Sequence, residues 1–178
     1  MEQAKSFQEH IEKYGALRAE VYNEVPRAIN MPGVKLTPIN SSALAKYELW
    51  PNNDRLPPNG GWDWKSWVEH YRNKHPKRFE AAIWFGSTLC GLLLGKMSGR
   101  NVHIRLEVLE GSTDTTHPLK GRVAYIALSA VEMYGYALGA KESRIIDPVD
   151  GAINSYKKLE YNLFPASKGS PRYLAKNL

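Results

Sequence analysis

Hydrophobic residues recur at three- and four-residue steps in five segments of the chain, a spacing that predicts amphipathic helices. The predicted helices cover residues 3–25, 43–49, 64–75, 123–138 and 152–159. Ser41 or Ser42 is expected to cap the second helix and Asp63 the third, because their side chains can accept an early backbone N–H. The third helix must end before Pro76, since the residue preceding a proline disfavours helical geometry.

Other hydrophobic runs, some alternating with polar residues and some continuous, predict strands. The predicted strands cover residues 34–39, 79–85, 88–97, 102–109, 143–146 and 161–164. Gly86 and Ser87 form a two-residue connection that predicts an antiparallel hairpin. Antiparallel strands followed by strand–loop–helix–strand–helix–strand are typical of an α/β (α+β) fold with a mixed central sheet packed by helices.

The length of 178 residues and a hydrophobic content of 43% predict one folding unit with a sizeable core. The longest apolar run, around residues 92–94, is far too short to cross a bilayer, and the first residues lack a signal core, so we expect a cytoplasmic protein without a membrane partner. The single Cys90 excludes an intrachain disulfide and is interpreted as a core residue. No spacing of His and Cys resembles a metal site, and no metal is predicted.

The formal net charge of +6 and the sequence pI near 9.3 favour an anionic partner. A nucleotide cofactor, a nucleic acid and an acidic protein surface would all satisfy that preference. Lys and Arg are spread along the chain, however, which also fits a solvated basic surface. Charge alone therefore does not select a function.

One candidate anion site lies between the strand at 102–109 and the helix at 123–138. Free N–H groups and the positive end of the helix dipole favour anions at such a helix start. The segment resembles the pyrophosphate loop of the GNAT superfamily of acyl-CoA N-acyltransferases, and the order of elements over residues 34–165 resembles the GNAT fold. The resemblance implies acetyl-CoA as cosubstrate, bound by Leu119, Lys120, Gly121, Arg122, Val123 and Ala124.

A second likeness is the segment 152–161, Ala-Ile-Asn-Ser-Tyr-Lys-Lys-Leu-Glu-Tyr, which is similar to a conserved helix pattern of that superfamily. Tyr156 falls on the position of the usual general acid, which implies that it protonates the leaving thiolate. The resemblance also implies that backbone N–H groups of Val108 and Leu109 polarise the thioester carbonyl. Glu107 and Glu110 are the nearest carboxylates that could accept the amine proton.

The loop departs from the family pattern at two of its three positions, because Leu119 replaces Gln or Arg and Arg122 replaces the central Gly. Glu160 also stands where a Gly is usual. The guanidinium of Arg122 can contact a pyrophosphate directly, and cations at a helix start are disfavoured by the dipole unless an anion binds there. These departures favour an alternative function, a GNAT-fold binding module without catalytic activity.

The expected organisation is an N-terminal helical extension over 1–33, a GNAT-like domain over 34–165 with a mostly antiparallel sheet, and a mobile tail over 166–178. The predicted function is transfer of an acetyl group from acetyl-CoA to an amine of a protein or small molecule. A GNAT-fold protein acting on nucleic acid is a further alternative, and the oligomeric state is not predicted. The acceptor is expected to contact Trp50, Asp54, Arg55 and Trp62.

Overall fold

The structure, a computed structural model, describes residues 2–178. Its elements are α1 (Glu2–Ala28), β1 (Val34–Thr37), α2 (Ser41–Glu48), α3 (Trp64–Lys74), β2 (Arg78–Phe85), β3 (Thr88–Met97), β4 (His103–Gly111), α4 (Val123–Ala137), β5 (Glu142–Ile146), α5 (Asp150–Lys157), β6 (Asn162–Phe164) and β7 (Tyr173–Asn177). None of the helices in this range is both long and apolar enough to span a membrane.

Seven strands form one sheet in the order β1-β2-β3-β4-β5-β7-β6. Neighbouring strands are antiparallel except β4 and β5, which run parallel. The predicted mixed, mostly antiparallel sheet and the hairpin of β2 and β3 are confirmed. The one parallel pair lies near the middle of the sheet, where α4 forms the crossover between its strands.

The structure confirms one of the two predicted helix caps and not the other. Asp63 caps α3 as predicted, since its carboxylate accepts the Ser66 N–H at 3.1 Å. The cap of α2 is Asn40, whose side chain accepts the Ala43 N–H at 2.9 Å. The prediction of Ser41 or Ser42 was wrong because α2 begins at Ser41, so both serines already lie inside the helix.

Two hydrophobic cores cover the two faces of the sheet. On one face, α1 and α4 pack over a cluster that includes Val25, Ile126 and the buried Cys90. On the other face, α2 and α3 pack over a cluster that includes Tyr47 and Val68. Because α1 supplies fully buried residues to the first core, the segment expected to be an extension packs as an integral part of this layer.

The segment expected to be a mobile tail contains a strand. Residues Tyr173–Asn177 form β7, which inserts between β5 and β6 and pairs antiparallel with both. Leu174 is 0% exposed and Ala175 is 5% exposed, so this strand contributes to the core. The Pro, Lys and Ser residues that precede it dominate the composition and hide its short apolar signal.

A buried carboxylate fixes α3 on the sheet. Glu80 of β2 accepts hydrogen bonds from Arg72 of α3 at 2.7 Å, from Arg78 at 3.0 Å and from the Ile39 N–H at 3.0 Å. Burial alone would raise the pKa of Glu80, but the two guanidinium groups outweigh it and hold that pKa below its ordinary value. This charged cluster positions α3 next to β4, where the candidate site lies.

Candidate functional site

The two parallel strands separate at their carboxyl ends. β4 and β5 are paired from His103 and Glu142 as far as Leu106 and Ile145. Beyond that point no pairing joins them among the described residues, although β4 continues to Gly111. The register of β3 and β4 skips Glu107, which marks a β-bulge that bends β4 where the separation begins.

The separation opens two adjoining cavities of about 170 and 260 Å³. The first lies between the ends of β4 and β5, and the second extends to the beginning of α4. We call them together the interstrand cleft. Its walls include Glu107, Leu109, Val123, Val149, Ala152 and Tyr156, of which Leu109, Val149 and Tyr156 line both cavities.

The backbone of β4 directs one unpaired donor into this cleft. Beyond the bulge, N–H groups alternate between the two sides of the strand. The Ser112 N–H donates to the Cys90 carbonyl at 2.9 Å, and the register places Val108 in phase with Ser112. The Val108 N–H therefore faces β3, whereas the Leu109 N–H faces the gap left by β5. Of the two predicted backbone donors, Leu109 is the one directed into the cleft.

The beginning of α4 closes the other end of the cleft. The N–H groups of Val123, Ala124 and Tyr125 have no carbonyl acceptor among residues 2–178, and Val123 and Ala124 line the second cavity. Arg122 lies in ordinary right-handed geometry at φ −118°, whereas Gly121 has φ +78°, which favours glycine. The turn therefore requires its glycine at 121 and tolerates a side chain at 122.

The predicted loop residues differ in what their side chains can reach. Lys120 and Arg122 are exposed beside the helix start, and Arg122 makes no capping hydrogen bond. Leu119 is 1% exposed and packs in the core under α4. Its side chain is consequently turned away from the cleft, unlike the polar residue that the family pattern has there.

Tyr156 lines both cavities from α5. It is 8% exposed, and burial raises the pKa of its phenol to about 12. Its hydroxyl has no hydrogen-bond partner within the described chain. Tyr156 therefore keeps its proton at neutral pH and is free to donate it to a group in the cleft.

Glu107 lies at the bulge and lines the first cavity. The Tyr71 hydroxyl donates to its Oε2 at 2.7 Å, while Arg105 Nε lies 3.1 Å from its Oε1 without the alignment of a hydrogen bond. Burial raises the pKa of Tyr71, and the hydrogen bond to Glu107 raises it further. Glu107 is thus held by a neutral phenol and a nearby cation, and it accepts a single hydrogen bond, from Tyr71.

Glu110 is 2% exposed, and its oxygens are already occupied. The Trp64 indole donates at 2.7 Å, the Gly61 N–H at 2.8 Å, Arg55 at 3.1 Å and the Tyr47 hydroxyl at 3.2 Å. These bonds hold the segment 50–63 over the mouth of the cleft. Glu110 therefore has the contacts of an anchor for this covering segment.

The predicted acceptor residues are not all brought to the cleft. Trp62 lines the first cavity and Arg55 the second. Trp50 is 8% exposed and donates its indole N–H to the Leu89 carbonyl at 3.1 Å, so it packs in the core under α2. Asp54 is exposed in the covering segment and makes no ion pair among the described residues.

The structure also brings residues to the cleft that were not singled out from the sequence. Ile146 at the end of β5 and Pro148 and Val149 just after it form the wall opposite β4. Pro58 of the covering segment lines both cavities. The only sequence signal for Ile146, Pro148 and Val149 was a position at or just after the end of a strand, and apolar residues are too common there to single these three out.

No protein-family model and no curated protein sequence matches the chain, whereas solved structures share its fold. One is the PaiA N-acetyltransferase of Thermoplasma acidophilum in complex with coenzyme A, with 15% identity, a TM-score of 0.55 and coverage of 82% of this chain and 99% of that one. Another is the aminoglycoside 6'-N-acetyltransferase of Enterococcus faecium, with 15% identity, a TM-score of 0.55 and coverage of 80% and 96%.

A third similar structure is Arabidopsis thaliana Naa50 in complex with a bisubstrate analogue that joins coenzyme A to a peptide. Its identity is 12%, its TM-score is 0.54, and the match covers 82% of this chain and 99% of that one. Identities this low establish the fold alone. The chain has the fold of the GNAT acetyltransferases, as its sequence predicted.

Proposed function

We propose that this chain, which has the GNAT fold, is an acyl-CoA-dependent N-acyltransferase that moves an acetyl group from acetyl-CoA directly to an amine. The observation that carries the proposal is the separation of β4 from β5. It brings the Leu109 N–H, the Tyr156 hydroxyl and the free N–H groups at the start of α4 to a single cleft.

Binding of the cofactor would use the start of α4. The unpaired N–H groups of Val123, Ala124 and Tyr125 and the helix dipole favour a pyrophosphate there, and the exposed cations Lys120 and Arg122 add charge. The acyl-bearing arm would then extend between β4 and β5. Arg122 has right-handed backbone geometry, which any residue adopts without strain, and its side chain does not cap the helix. The N–H groups at the start of α4 therefore stay available to a phosphate despite the departures from the family pattern.

The chemistry follows from the groups along the cleft. The neutral amine attacks the thioester carbonyl carbon, and the Leu109 N–H donates to the oxyanion that forms. Glu107 takes the amine proton, directly or through a water molecule. When the C–S bond breaks, Tyr156 donates its proton to the departing sulfur, giving an amide and free coenzyme A, and the tyrosinate recovers a proton from solvent.

The assignment of the base to Glu107 rests on its contacts. Glu107 lines the first cavity and accepts one hydrogen bond, from Tyr71, whereas the carboxylate of Glu110 accepts hydrogen bonds from four donors. A base must be within hydrogen-bond reach of the proton that it removes. We therefore assign Glu110 the role of a positioning residue, which holds the covering segment and Arg55 at the cleft.

The acceptor is a molecule that brings its amine to Glu107 from the side of the cleft lined by Trp62. One similar structure is an aminoglycoside 6'-N-acetyltransferase, and another is bound to an analogue that joins coenzyme A to a peptide, so this fold serves both small and peptide amines. The second candidate function is a binding module that takes up acetyl-CoA without turnover. The buried Leu119, in place of a polar residue, is the observation that favours it.

An acylation assay separates these two functions. Purified protein is incubated with acetyl-CoA and a panel of amines, namely free peptides, an aminoglycoside and a polyamine, and the released thiol is measured. We expect thiol release with at least one amine and a loss of turnover of roughly 100-fold in Glu107→Gln. The matched control is Glu69→Gln, an exposed carboxylate of α3. Binding of acetyl-CoA without turnover of any amine would favour the binding module.

A further inference from the structure

A separate cavity lies at the other end of the sheet. It has a volume of about 340 Å³ and is walled by α1, the end of α3 and the end of β3. Lys96 pairs with Arg105 of β4, two residues before Glu107, so about 7 Å of strand separates the edge of this cavity from the edge of the interstrand cleft. We call it the basic pocket, defined by His10, Tyr14, Lys74, His75, Lys77 and Lys96.

The basic pocket collects positive charge without an acidic partner. Its lining contains three lysines and two histidines and no carboxylate. Within residues 2–178, no carboxylate lies within ion-pair distance of these three ammonium groups, whereas several partly buried cations elsewhere have such partners. Examples are Arg55–Glu110, Arg78–Glu80, Arg105–Glu107 and Lys176–Glu132.

Neutral groups hold two of the lysines in position. Lys77 donates to the Asn101 side chain at 2.8 Å and lies 5.7 Å from the ring centroid of Tyr14. Lys96 lies 3.4 Å from Nε2 of His75 and 5.4 Å from the ring centroid of Tyr71. Such partners restrict the ammonium groups without neutralising them, so the positive charge remains available to a ligand.

The protonation state of His75 is consistent with its contact to the Lys96 ammonium. Burial lowers the pKa of His75, and the neighbouring Lys96 lowers it further. His70 acts in the same direction and Glu107 opposes it. A neutral imidazole can accept a hydrogen bond from the Lys96 ammonium, which a charged imidazolium cannot.

A further cation stands behind the pocket. Arg18 of α1 is 6% exposed and donates to the carbonyls of Pro76 at 3.3 Å and Arg78 at 3.2 Å. Its partners are therefore also neutral, and they include the backbone of the pocket wall. The guanidinium braces the wall and adds to the positive potential inside the concave surface.

We propose that the basic pocket binds a compact polyanion that carries two or more phosphate groups. Three ammonium groups around one concave surface suit clustered phosphates, because lysine binds phosphate as a point charge. The volume of about 340 Å³ lies in the range of small-molecule sites, which favours a small phosphorylated molecule over a nucleic acid. The basic pocket shares no lining residue with the interstrand cleft, and this proposal does not rest on the acyltransferase proposed there.

Calorimetric titration with inorganic tripolyphosphate at low ionic strength tests this proposal. We expect a saturable site whose affinity falls by about tenfold or more in the double variant Lys77→Gln with Lys96→Gln. The matched control carries Lys46→Gln and Lys168→Gln, which remove the same charge from exposed positions. Arg122→Ala is expected to leave this site intact, because it alters only the start of α4.

Three results would overturn the proposal: no saturable binding, an equal loss in the matched control, or a loss that only Arg122→Ala produces. Thermal unfolding of each variant shows whether it folds. The exposed Lys74→Gln serves as a second pocket variant should the double variant unfold. Binding of a single-stranded oligonucleotide at this pocket without binding of tripolyphosphate would indicate a nucleic-acid surface and contradict the proposed ligand.

Discussion

The phenol of Tyr156 differs from the other buried tyrosine hydroxyls near the site in having no protein partner. The hydroxyl of Tyr71 is engaged by Glu107, and that of Tyr47 by Glu110. Burial without a hydrogen bond raises the pKa of Tyr156 to about 12, so it remains protonated through the neutral range and well above it. These properties fit the proposed role of Tyr156 as the proton donor in the interstrand cleft.

Replacing Tyr156 by Phe removes that proton and little else. We expect turnover to fall by roughly 100-fold while the affinity for acetyl-CoA and the melting temperature stay near those of the parent protein. The measurement is steady-state kinetics with a calorimetric binding curve. Because the raised pKa keeps the phenol protonated, the parent should show no loss of activity from its ionisation below about pH 11. Equal turnover in both proteins would remove the assigned role.

Single functional residues could be predicted from the sequence where a short local pattern identifies them. Tyr156 follows from a short motif, whereas Glu107 and Glu110 were named only as the nearest carboxylates of the strand; Tyr156 and Glu107 line the first cavity. The anchoring of Glu110 depends on Gly61 and Trp64, which lie far from it in sequence and meet it only through the packing of α3 against β4. Composition and spacing contain no signal for such a contact.

At the level of elements, the turn into α4 decides whether the helix start is available to an anion. Gly121 has φ +78°, a conformation that costs a residue with a Cβ about 1–2 kcal/mol. Nothing lies within 4 Å of a Cβ added there, so the cost of a substitution is confined to the backbone. The family pattern has its central glycine one position later, at Arg122.

Gly121→Ala is therefore expected to lower the free energy of unfolding by about 1–2 kcal/mol and to weaken acetyl-CoA binding, because the turn must shift the free N–H groups. Gly151→Ala is the matched control, since Gly151 lies in α5 without positive φ and with open space around it. It should leave binding unchanged and keep or raise stability by up to about 1 kcal/mol. Chemical denaturation and calorimetry measure both; equal effects in the two variants would contradict this assignment.

Elements with strong periodicity were predictable, and those defined by register were not. α4 and the hairpin of β2 and β3 follow directly from hydrophobic spacing. β7 was missed because a five-residue strand after a polar segment has too few residues to show a period. The bulge at Glu107 was missed because it depends on how β4 pairs with β3.

The whole molecule is organised around the one parallel strand pair. Parallel strands need a crossover, and α4 supplies it, so the helix start and the separated strand ends meet at one edge of the sheet. α1 and α4 share one core, while α2 and α3 share the other. The sheet thus separates the side of the proposed cofactor helix from the side that the acceptor would approach.

The central claim is that the interstrand cleft binds acetyl-CoA, and calorimetric titration with acetyl-CoA tests it most directly. The cleft is blocked in Ala152→Trp, because Ala152 lines the second cavity, and the control is Ser155→Trp, an exposed position on the same helix. We predict saturable one-to-one binding in the parent and in Ser155→Trp, and none in Ala152→Trp. Absence of binding to the parent, or equal binding to both variants, would contradict this claim.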